Sequence, residues 1–406
     1  MLYTIGIFFY MVAVHLAALF NRKARLMVRG QWNTWHILRK QLDKSARYVW
    51  FHAASLGEFE QGRPMMERLR REHPEYKIIL TFFSPSGYEV RKHYEGADIV
   101  CYLPFDIVGN AHAFIHMVKP EMVFFIKYEF WYNYIRHLHH RGVPVYSVCS
   151  IFRPGNVFFK WYGFFYAPVL RHVTHYFVQD ERSRRLLALK GLKNVSIVGD
   201  TRMDRVLAIK EAAKELPLVE QFKGDKFVLV AGSSWAPDED LILNFFNAHP
   251  EMKLILAPHV IDEAHLQQIV QKVQRPVLRW SKATAENVAS ADCLVIDCFG
   301  LLNSIYRYGE VAYVGGGFGV GIHNVPEAAV YGVPVLIGPN NKKFREARDL
   351  LRMGGCLQIH DQDDFDATLL RLMTDPDALR LSGLASRKYI RDNAGATDKI
   401  MQKLGL

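Results

Sequence analysis

The stretch YVWFHAASLGEFEQGRPMMERLRREH, residues 48–73, decides the fold of the first half of this chain. Its first four residues form a continuous apolar run, which predicts a strand buried on both faces. From Phe59 onward the apolar residues recur near the helical period, which predicts a helix. A Ser-Leu-Gly turn connects the two, and Glu58 follows it directly. Ligands bind at the carboxyl edge of an open α/β sheet, so Glu58 is a candidate functional residue.

The same alternation of strand and helix continues along the chain in two series. The first series is YVWF, KIILTF, DIVCYL, MVFFI, PVYSVCS, HYFV and VSIVG, beginning at residues 48, 77, 98, 122, 144, 175 and 195. The second is FVLVAG, KLILAP, PVLRW, CLVID, VAYVGG, PVLIG and CLQIH, beginning at residues 227, 253, 276, 293, 311, 334 and 356. Continuous apolar runs separated by helical patterns predict two parallel, doubly wound α/β domains.

These series divide the chain into domains. We expect an N-terminal Rossmann-like domain over residues 22–205 and a C-terminal one over 206–385. A helical segment over 386–406 is expected to pack back toward the first domain. Ligands would then bind in a cleft where the carboxyl ends of both sheets meet.

The composition restricts the partners and the redox environment. The chain has 406 residues, half of them hydrophobic, with a net charge of +10, which suits nucleic acid, an anionic membrane surface or a phosphorylated substrate. The cysteines are scattered without zinc-ligand spacing, which favours reduced thiols.

The N-terminal run MLYTIGIFFYMVAVHLAALF contains no Asp, Glu, Lys or Arg, and the basic sequence NRKAR follows it. This pattern predicts a membrane-anchor helix over residues 1–21 with its C-terminal flank in the cytoplasm. A buried N-terminal helix is the alternative. A signal peptide would carry positive charge before its apolar stretch and a small-residue cleavage site after it. This sequence has neither feature. Since a membrane accounts for the positive charge and no nucleic-acid motif occurs, we expect no nucleic-acid partner.

A glycine-rich stretch, GGGFGVGIHNVPEAAVYG at residues 315–332, follows a strand of the second series. Pro326 suits the first turn of a helix, whose start would present free N–H groups to an anion. Glu327 either accepts hydrogen bonds from ribose hydroxyls or only complements the helix dipole. No P-loop and no metal-ligand spacing occurs, and DED at 238–240 indicates a helix start, so we predict no obligatory metal.

Six motifs in order resemble one family. They are SLGE at 55–58, SPSG at 84–87, YLPFD at 102–106, KYEFWYN at 127–133, GDTRMDR at 199–205 and GIHNVPEAAVYGVPVLIGPNNKKFREA at 321–347. Together they resemble glycosyltransferase family 30, the 3-deoxy-D-manno-octulosonic acid (Kdo) transferases of lipopolysaccharide synthesis. The resemblance implies the α/β GT-B architecture, two Rossmann-like domains facing a cleft. It also implies transfer of Kdo from CMP-Kdo to a lipid A precursor (lipid IVA) at the inner membrane, with inversion and without metal or cofactor.

The resemblance assigns Glu58 as the catalytic base, while Ser55 and Gly57 shape its turn and contact the donor. Position alone leaves a second possibility for Glu58, a first-turn residue favoured by the helix dipole. The other residues matched to the donor are Gly232, Ser233, His259, Gly300, Asn324, Glu327, Lys342 and Lys343. Many relatives carry an arginine where this chain has His259, and the two lysines are equally well explained as solvated surface residues.

The acceptor side is expected to combine basic and apolar residues. The residues assigned to it are Ser84, Ser86, Gly87, Glu129, Arg153 and Arg202. Glu129 either orients the acceptor sugar or pairs with Arg153 or Arg202, and the buried ion pair is the favoured of these. The aromatic stretch at 151–172 would face lipid in part and fill the core in part.

Two other functions are compatible with the sequence. A UDP-sugar transferase or epimerase would share the same two-domain shape, because the fold alone does not fix the donor. A membrane-tethered sugar-nucleotide-binding protein without catalysis is the second. Against the second, Glu58 and the HNxxE set at 323–327 are both present, and a mere binding protein would not need Glu58.

Overall fold

A computed structural model describes residues 2–406 of the chain. It divides into two compact units, Met1–Arg205 with Ala394–Leu406, and Val206–Asn393. The return to the first unit begins at Ala394, later than residue 386, because the helix Pro376–Asn393 continues within the second unit.

All fourteen apolar runs form strands within the described residues, and every pairing is parallel. The strands of the first unit are β1 (Arg47–Ala53), β2 (Tyr76–Phe82), β3 (Ile99–Tyr102), β4 (Met122–Ile126), β5 (Val145–Ser150), β6 (His175–Val178) and β7 (Val195–Ile197). Its helices are α1 (Leu2–Ala17), α2 (Arg22–Gln41), α3 (Leu56–Glu72), α4 (Pro85–Arg91), α5 (Val108–Val118), α6 (Tyr132–His140), α7 (Glu181–Ala188) and, across the boundary, α8 (Arg202–Glu211). The predicted α/β class with two parallel sheets is therefore confirmed.

The first sheet has the strand order β3-β2-β1-β4-β5-β6-β7. The order reverses between β1 and β4, which pair in register from Val49 opposite Met122 to His52 opposite Phe125. Such a reversal opens a crevice at the carboxyl ends of the two strands. Glu58 follows β1, so the strand order places it at this switch point.

Apolar side chains cover both faces of the first sheet. One face packs against α3 and a helix at the C-terminus, here called α17 (Ala396–Leu404), through Phe59, Ile400 and Met401. The other face packs against α5 and α6 around Trp50. Burial on both faces explains why these strands are continuous apolar runs in the sequence.

The second unit repeats the arrangement. Its strands are β8 (Phe227–Ser234), β9 (Met252–Pro258), β10 (Val277–Arg279), β11 (Cys293–Val295), β12 (Val311–Val314), β13 (Val335–Ile337) and β14 (Cys356–Gln358). Its helices are α9 (Pro217–Lys223), α10 (Ala236–Ala248), α11 (Glu263–Lys272), α12 (Leu302–Ile305), α13 (Val325–Ala329), α14 (Arg345–Met353), α15 (Gln362–Thr374) and α16 (Pro376–Asn393). The strand order is β10-β11-β9-β8-β12-β13-β14, so the switch point lies between β8 and β12.

The N-terminal helix α1 packs along the first unit. The Tyr3 hydroxyl donates to Asp106 over 2.7 Å, and Thr4 donates to Asn133 over 3.3 Å. The side of α1 away from these contacts exposes large apolar side chains, namely Leu2, Ile5, Phe8, Phe9, Val12 and Leu16.

The predicted anchor over residues 1–21 is not confirmed as a spanning helix, and Met1 lies outside the described residues. Within residues 2–406, no single helix has the length and apolar run needed to cross a bilayer. In the described part of the chain, α1 and α2 meet that criterion as a pair, and they bend by 118° at the break between them. The 16 residues of α1 extend about 24 Å, less than the ~30 Å of a hydrocarbon core.

Candidate active site

Glu58 lies in the first turn of α3, where its carboxylate closes the strand-to-helix turn. Its Oε2 accepts hydrogen bonds from the N–H groups of Ala54, over 2.6 Å, and Ser55, over 3.2 Å. These bonds are those of a helix-capping glutamate. No described residue bonds the second oxygen, Oε1, and the residue keeps 9% of its surface exposed. One oxygen thus fixes the side chain and leaves the other available to a ligand.

The surroundings of Glu58 raise its pKa to about 7. Burial is the main cause, and the nearby Glu129 carboxylate is the second. The two backbone N–H groups and Lys127 act in the opposite direction. A carboxylate with a pKa near neutral pH is suited to accept a proton during a reaction and to release it afterwards.

Glu129 lies beside Glu58 and is held by two aromatic side chains. The Trp131 indole N–H donates to Glu129 Oε2 over 2.7 Å, and His52 Nε2 lies 3.3 Å from the same oxygen. His52 is fully buried, and its Nδ1 lies 2.8 Å from Thr81 Oγ1. A buried network of this kind fixes the negative charge of Glu129 next to Glu58.

The prediction that Glu129 pairs with Arg153 or Arg202 is wrong. Arg202 instead donates to Asp200 Oδ2 from Nε over 3.0 Å and from Nη2 over 2.8 Å. Burial acts to raise the pKa of Asp200, but the charge and hydrogen bonds of Arg202 outweigh it and lower that pKa. Arg202 therefore pairs with Asp200, its near neighbour in sequence.

Arg153 lies on the exposed surface of the first unit, near Tyr128. Its backbone N–H donates to Asn156 Oδ1 over 2.6 Å, while its guanidinium has no ion pair among residues 2–406. Tyr128 in turn lies near Glu58, so Arg153 is a cation close to the carboxylate site.

The predicted serine and glycine residues form two adjacent helix starts. Ser84 begins α4, and its Oγ accepts from the Ser86 N–H over 3.3 Å. The Ser84 N–H donates to Ala54 O over 2.8 Å, which joins this turn to the one before Glu58. A Cβ at Gly87 would meet the Phe82 ring and lie 3.1 Å from the Ser55 carbonyl carbon. A side chain is excluded there because α4 begins so close to the Ser55 turn.

Gly57 differs from Gly87, since a Cβ there would meet no atom within 4 Å. Gly57 therefore faces open space at the carboxyl end of the sheet. A ligand can approach the backbone of the turn at this point.

Sequence reasoning missed Lys127, His52 and Trp131 as site residues. Lys127 follows β4 with a left-handed φ of 67°, a conformation that is uncommon outside glycine. Its N–H donates to Val148 O over 2.7 Å, so the turn after β4 is held by the neighbouring strand. The motif KYEFWYN contains Lys127 and Trp131. It could not show that they lie near Glu58, because that proximity depends on the pairing of β1 with β4.

The switch point of the second unit is built from close backbone contacts. Ser233 has a φ of 53° at an irregularity in the β8–β9 pairing. A Cβ at Gly232 would collide with the Tyr306 hydroxyl, and one at Gly315 would lie 2.6 Å from Ser234 Cα. Gly232, Ser233 and the start of the glycine-rich loop are thus packed against each other.

Three flat rings stack at the carboxyl ends of β8, β9 and β12. The ring centroids of Trp235 and His259 lie 4.7 Å apart, and those of His259 and His323 lie 4.4 Å apart. Trp235 Nε1 also donates to His323 Nε2 over 3.2 Å. Burial and the neighbouring His259 lower the pKa of His323, which favours the neutral ring. The stack offers an aromatic surface at the site predicted for the donor.

Asn324 and Glu327 lie together at the start of α13. The Asn324 amide donates to Glu327 Oε1 over 2.6 Å. Pro326 occupies the first turn, as predicted. The helix has only five residues, Val325–Ala329, so its dipole is small and the side chains carry the polar chemistry.

The remaining predicted donor residues line neighbouring loops. Gly300 has a φ of 90° and faces open space. Asn340 donates from its N–H to Gly317 O over 2.8 Å, which ties the segment before Lys342 and Lys343 to the glycine-rich loop. Both lysines are exposed and form no ion pair among residues 2–406.

The described part of the chain contains no cluster of three His, Cys, Asp or Glu side chains suited to a metal. The acidic run at 238–240 instead starts α10, as predicted. Asp238 accepts from the N–H groups of Trp235 and Gly316 and from the Tyr313 hydroxyl, over 2.9, 2.8 and 2.7 Å. Its role is to join α10 to the glycine-rich loop.

Two doubly wound sheets, with a carboxylate pair at one switch point and a glycine-rich loop at the other, define a glycosyltransferase-like α/β protein. The model of the family described as 3-deoxy-D-manno-octulosonic-acid transferase (kdotransferase) matches residues 28–205. The Kdo transferase of Aquifex aeolicus is 27% identical over 333 residues, covering 80% of this chain and 86% of the relative. That of Haemophilus influenzae is 24% identical over 374 residues, covering 88% and 86%.

The resemblance to the Kdo transferases is confirmed, and the chain is their homologue. Among solved structures, UDP-GlcNAc 2-epimerase from Neisseria meningitidis bound to UDP-GlcNAc has a TM-score of 0.61 at 15% identity. It covers 88% of this chain and 99% of its own. At that identity the match concerns the fold alone.

Proposed function

We propose that this chain transfers Kdo from CMP-Kdo to a hydroxyl of a lipid A precursor, with inversion at the anomeric carbon. The proposal rests on one observation above all. Glu58 presents a free carboxylate oxygen at the switch point of the first sheet, and its pKa is about 7. The relatives are named as Kdo transferases, and CMP-Kdo as the donor and a lipid A precursor as the acceptor are what the family resemblance implies.

In this mechanism Glu58 acts as the general base. The acceptor hydroxyl loses its proton to Glu58 Oε1 as its oxygen attacks the anomeric carbon of Kdo. A carbon–oxygen bond forms there, and the bond from the same carbon to the phosphate oxygen of CMP breaks. The electron pair leaves with CMP, and attack opposite the leaving group inverts the configuration.

The second unit holds the nucleotide. In this proposal Glu327 accepts hydrogen bonds from the ribose hydroxyls. The Trp235–His259–His323 stack, at the carboxyl ends of strands of the same sheet, offers flat surfaces to the donor. Lys342 and Lys343 supply positive charge for the phosphate or the Kdo carboxylate. No step of this mechanism requires a metal ion or a cofactor.

We propose further that the first unit attaches to the membrane surface. The exposed apolar face of α1 would insert into the inner leaflet of the inner membrane from the cytoplasmic side. Trp161 and Phe164 of the aromatic stretch would insert with it. Trp161 is 87% exposed and Phe164 70% exposed, while Phe152 and Phe158 from the same stretch are buried. This peripheral attachment replaces the spanning anchor predicted from residues 1–21.

The test is product analysis with purified protein. CMP-Kdo and a lipid A precursor are incubated with the wild-type protein and with the Glu58→Gln variant, and the lipid is analysed by mass spectrometry. We expect Kdo-bearing lipid and free CMP from the wild type only. Consumption of UDP-GlcNAc with no use of CMP-Kdo would replace this proposal with the UDP-sugar function.

A further inference from the structure

An apolar cavity of about 700 Å³ lies in the first unit. Its walls are α1, α2 and the loop that precedes α5. The volume lies within the ~300–1,000 Å³ range of sites that hold small organic ligands. An apolar ligand or an apolar part of a larger ligand would fill it.

One polar group in the wall of this cavity lacks a partner. Gln31 is 5% exposed, and its Oε1 accepts from the Phe105 N–H over 3.1 Å. Its Nε2 is buried without a hydrogen-bond partner among residues 2–406. A buried donor left unpaired is destabilising, so this amide calls for an acceptor atom from a ligand. An ester or amide carbonyl at the head of an acyl chain provides one.

A row of aromatic rings connects the cavity to the carboxylates. Phe105 lines the cavity, and its ring centroid lies 6.0 Å from that of Phe83. Phe83 lies 4.6 Å from Trp131, whose N–H donates to Glu129. Glu129 is the carboxylate that raises the pKa of Glu58. A molecule with its hydroxyl at Glu58 can therefore extend its acyl chain along these rings into the cavity.

The corner between α1 and α2 carries cations beside the same cavity. Arg22, Lys23 and Arg29 are exposed and form no ion pair among residues 2–406. This charge complements phosphate groups, and a lipid A precursor carries both phosphates and acyl chains. An uncharged apolar molecule would make no use of it.

We propose that the cavity between α1, α2 and the loop before α5 binds one acyl chain of the acceptor lipid, with the carbonyl of its linkage on Gln31 Nε2. This inference rests on the proposed function and names the part of the acceptor that the first unit selects. The cavity then determines which acceptors are used, through the presence and length of the chain.

The test compares a lipid A precursor with its fully deacylated derivative as acceptors. Met11→Trp combined with Val28→Trp places two indoles in the cavity wall. We expect this variant to raise the KM for the acylated acceptor at least tenfold and to leave the kinetics with the deacylated one unchanged. Leu189→Trp adds an indole at an exposed position of the same unit, away from the cavity. It should change the kinetics with neither acceptor. An unchanged preference for the acylated acceptor in the double variant would overturn the proposal.

A binding measurement keeps the test independent of transfer and of that variant's folding. N-dodecanoyl-glucosamine, below its micelle concentration, is titrated calorimetrically into the wild type and Gln31→Met. We expect saturable binding to the wild type and at least tenfold weaker binding to the variant. Absence of binding to the wild type, or equal binding to both, contradicts the cavity assignment. Transfer to neither acceptor by a wild type that binds the probe would refute the proposed function and leave the cavity assignment standing.

Discussion

The two sheet switch points of this molecule share a topology and differ in chemistry. Between β1 and β4 the loops carry the carboxylates Glu58 and Glu129, with a buried histidine and an indole behind them. Between β8 and β12 they carry a glycine-rich loop, a stack of three rings and nearby exposed lysines. The strand order creates a crevice in both units, but side chains decide what each crevice can do.

This difference indicates that the two units have separate roles in the reaction. A buried carboxylate whose pKa lies near 7 is suited to move a proton, while backbone approach, flat rings and cations are suited to hold a nucleotide. The first unit would therefore govern the chemical step, and the second would govern the affinity for the donor. Variants in the two units should separate these properties.

The largest expected effect is on the chemical step. Glu58→Gln keeps the shape of the side chain and removes the proton acceptor, so the rate of Kdo transfer should fall by about 10²–10⁴-fold. The measurement is the kcat for transfer from CMP-Kdo at pH 8. Glu60→Gln, on the same helix, should retain most of the wild-type rate. A Glu58→Gln protein as active as the Glu60→Gln control would eliminate the base assignment.

The next effect concerns the donor. Glu327→Gln weakens a charged hydrogen-bond acceptor for the ribose, which is worth about 1.5–3 kcal/mol, or roughly 10–100-fold in affinity. The KM for CMP-Kdo should rise within that range while kcat changes little. Glu263→Gln, an exposed change in the same unit, serves as the control. A fall in kcat with an unchanged KM would reverse the roles assigned to the two units.

A third variant tests the origin of the raised pKa. Transfer requires ionised Glu58, so the rate should increase as the pH rises through about 7. Glu129→Gln removes a neighbouring negative charge, which lowers the pKa of Glu58. The rising limb of the pH–rate profile should then move to lower pH. A limb that stays in place, or moves to higher pH, would mean that Glu129 does not influence the base.

The smallest effect is expected at the surface of the second unit. Lys342→Ala combined with Lys343→Ala should raise the KM for CMP-Kdo by roughly two- to fivefold at low salt, because exposed charges contribute about 0.2–1 kcal/mol. The difference should diminish as salt is added. An effect that persists at high salt would show that the lysines contact the donor directly.

Much of the fold could be predicted from the sequence. The central strands are buried on both faces and appear as continuous apolar runs, while the edge strands β7 and β10 are only partly buried. All fourteen runs were recognisable. The position of Glu58 also followed from local sequence, because a strand, a turn and a helix are adjacent in the chain.

The rest depended on contacts between distant segments. His52, Trp131 and Glu129 meet because β1 and β4 are neighbours, and no local pattern contains that pairing. The ion pair expected for Glu129 was wrong because Arg202 has Asp200 two residues away. Likewise, the apolar run at the N-terminus did not indicate that α1 and α2 meet at 118° or enclose a cavity.

The most direct test of the central claim measures both properties in one protein. CMP-Kdo is titrated calorimetrically into the Glu58→Gln variant, and transfer to the lipid A precursor is assayed on the same sample. The account predicts the wild-type Kd for the donor together with loss of transfer. Loss of donor binding, or transfer at the wild-type rate, would contradict it.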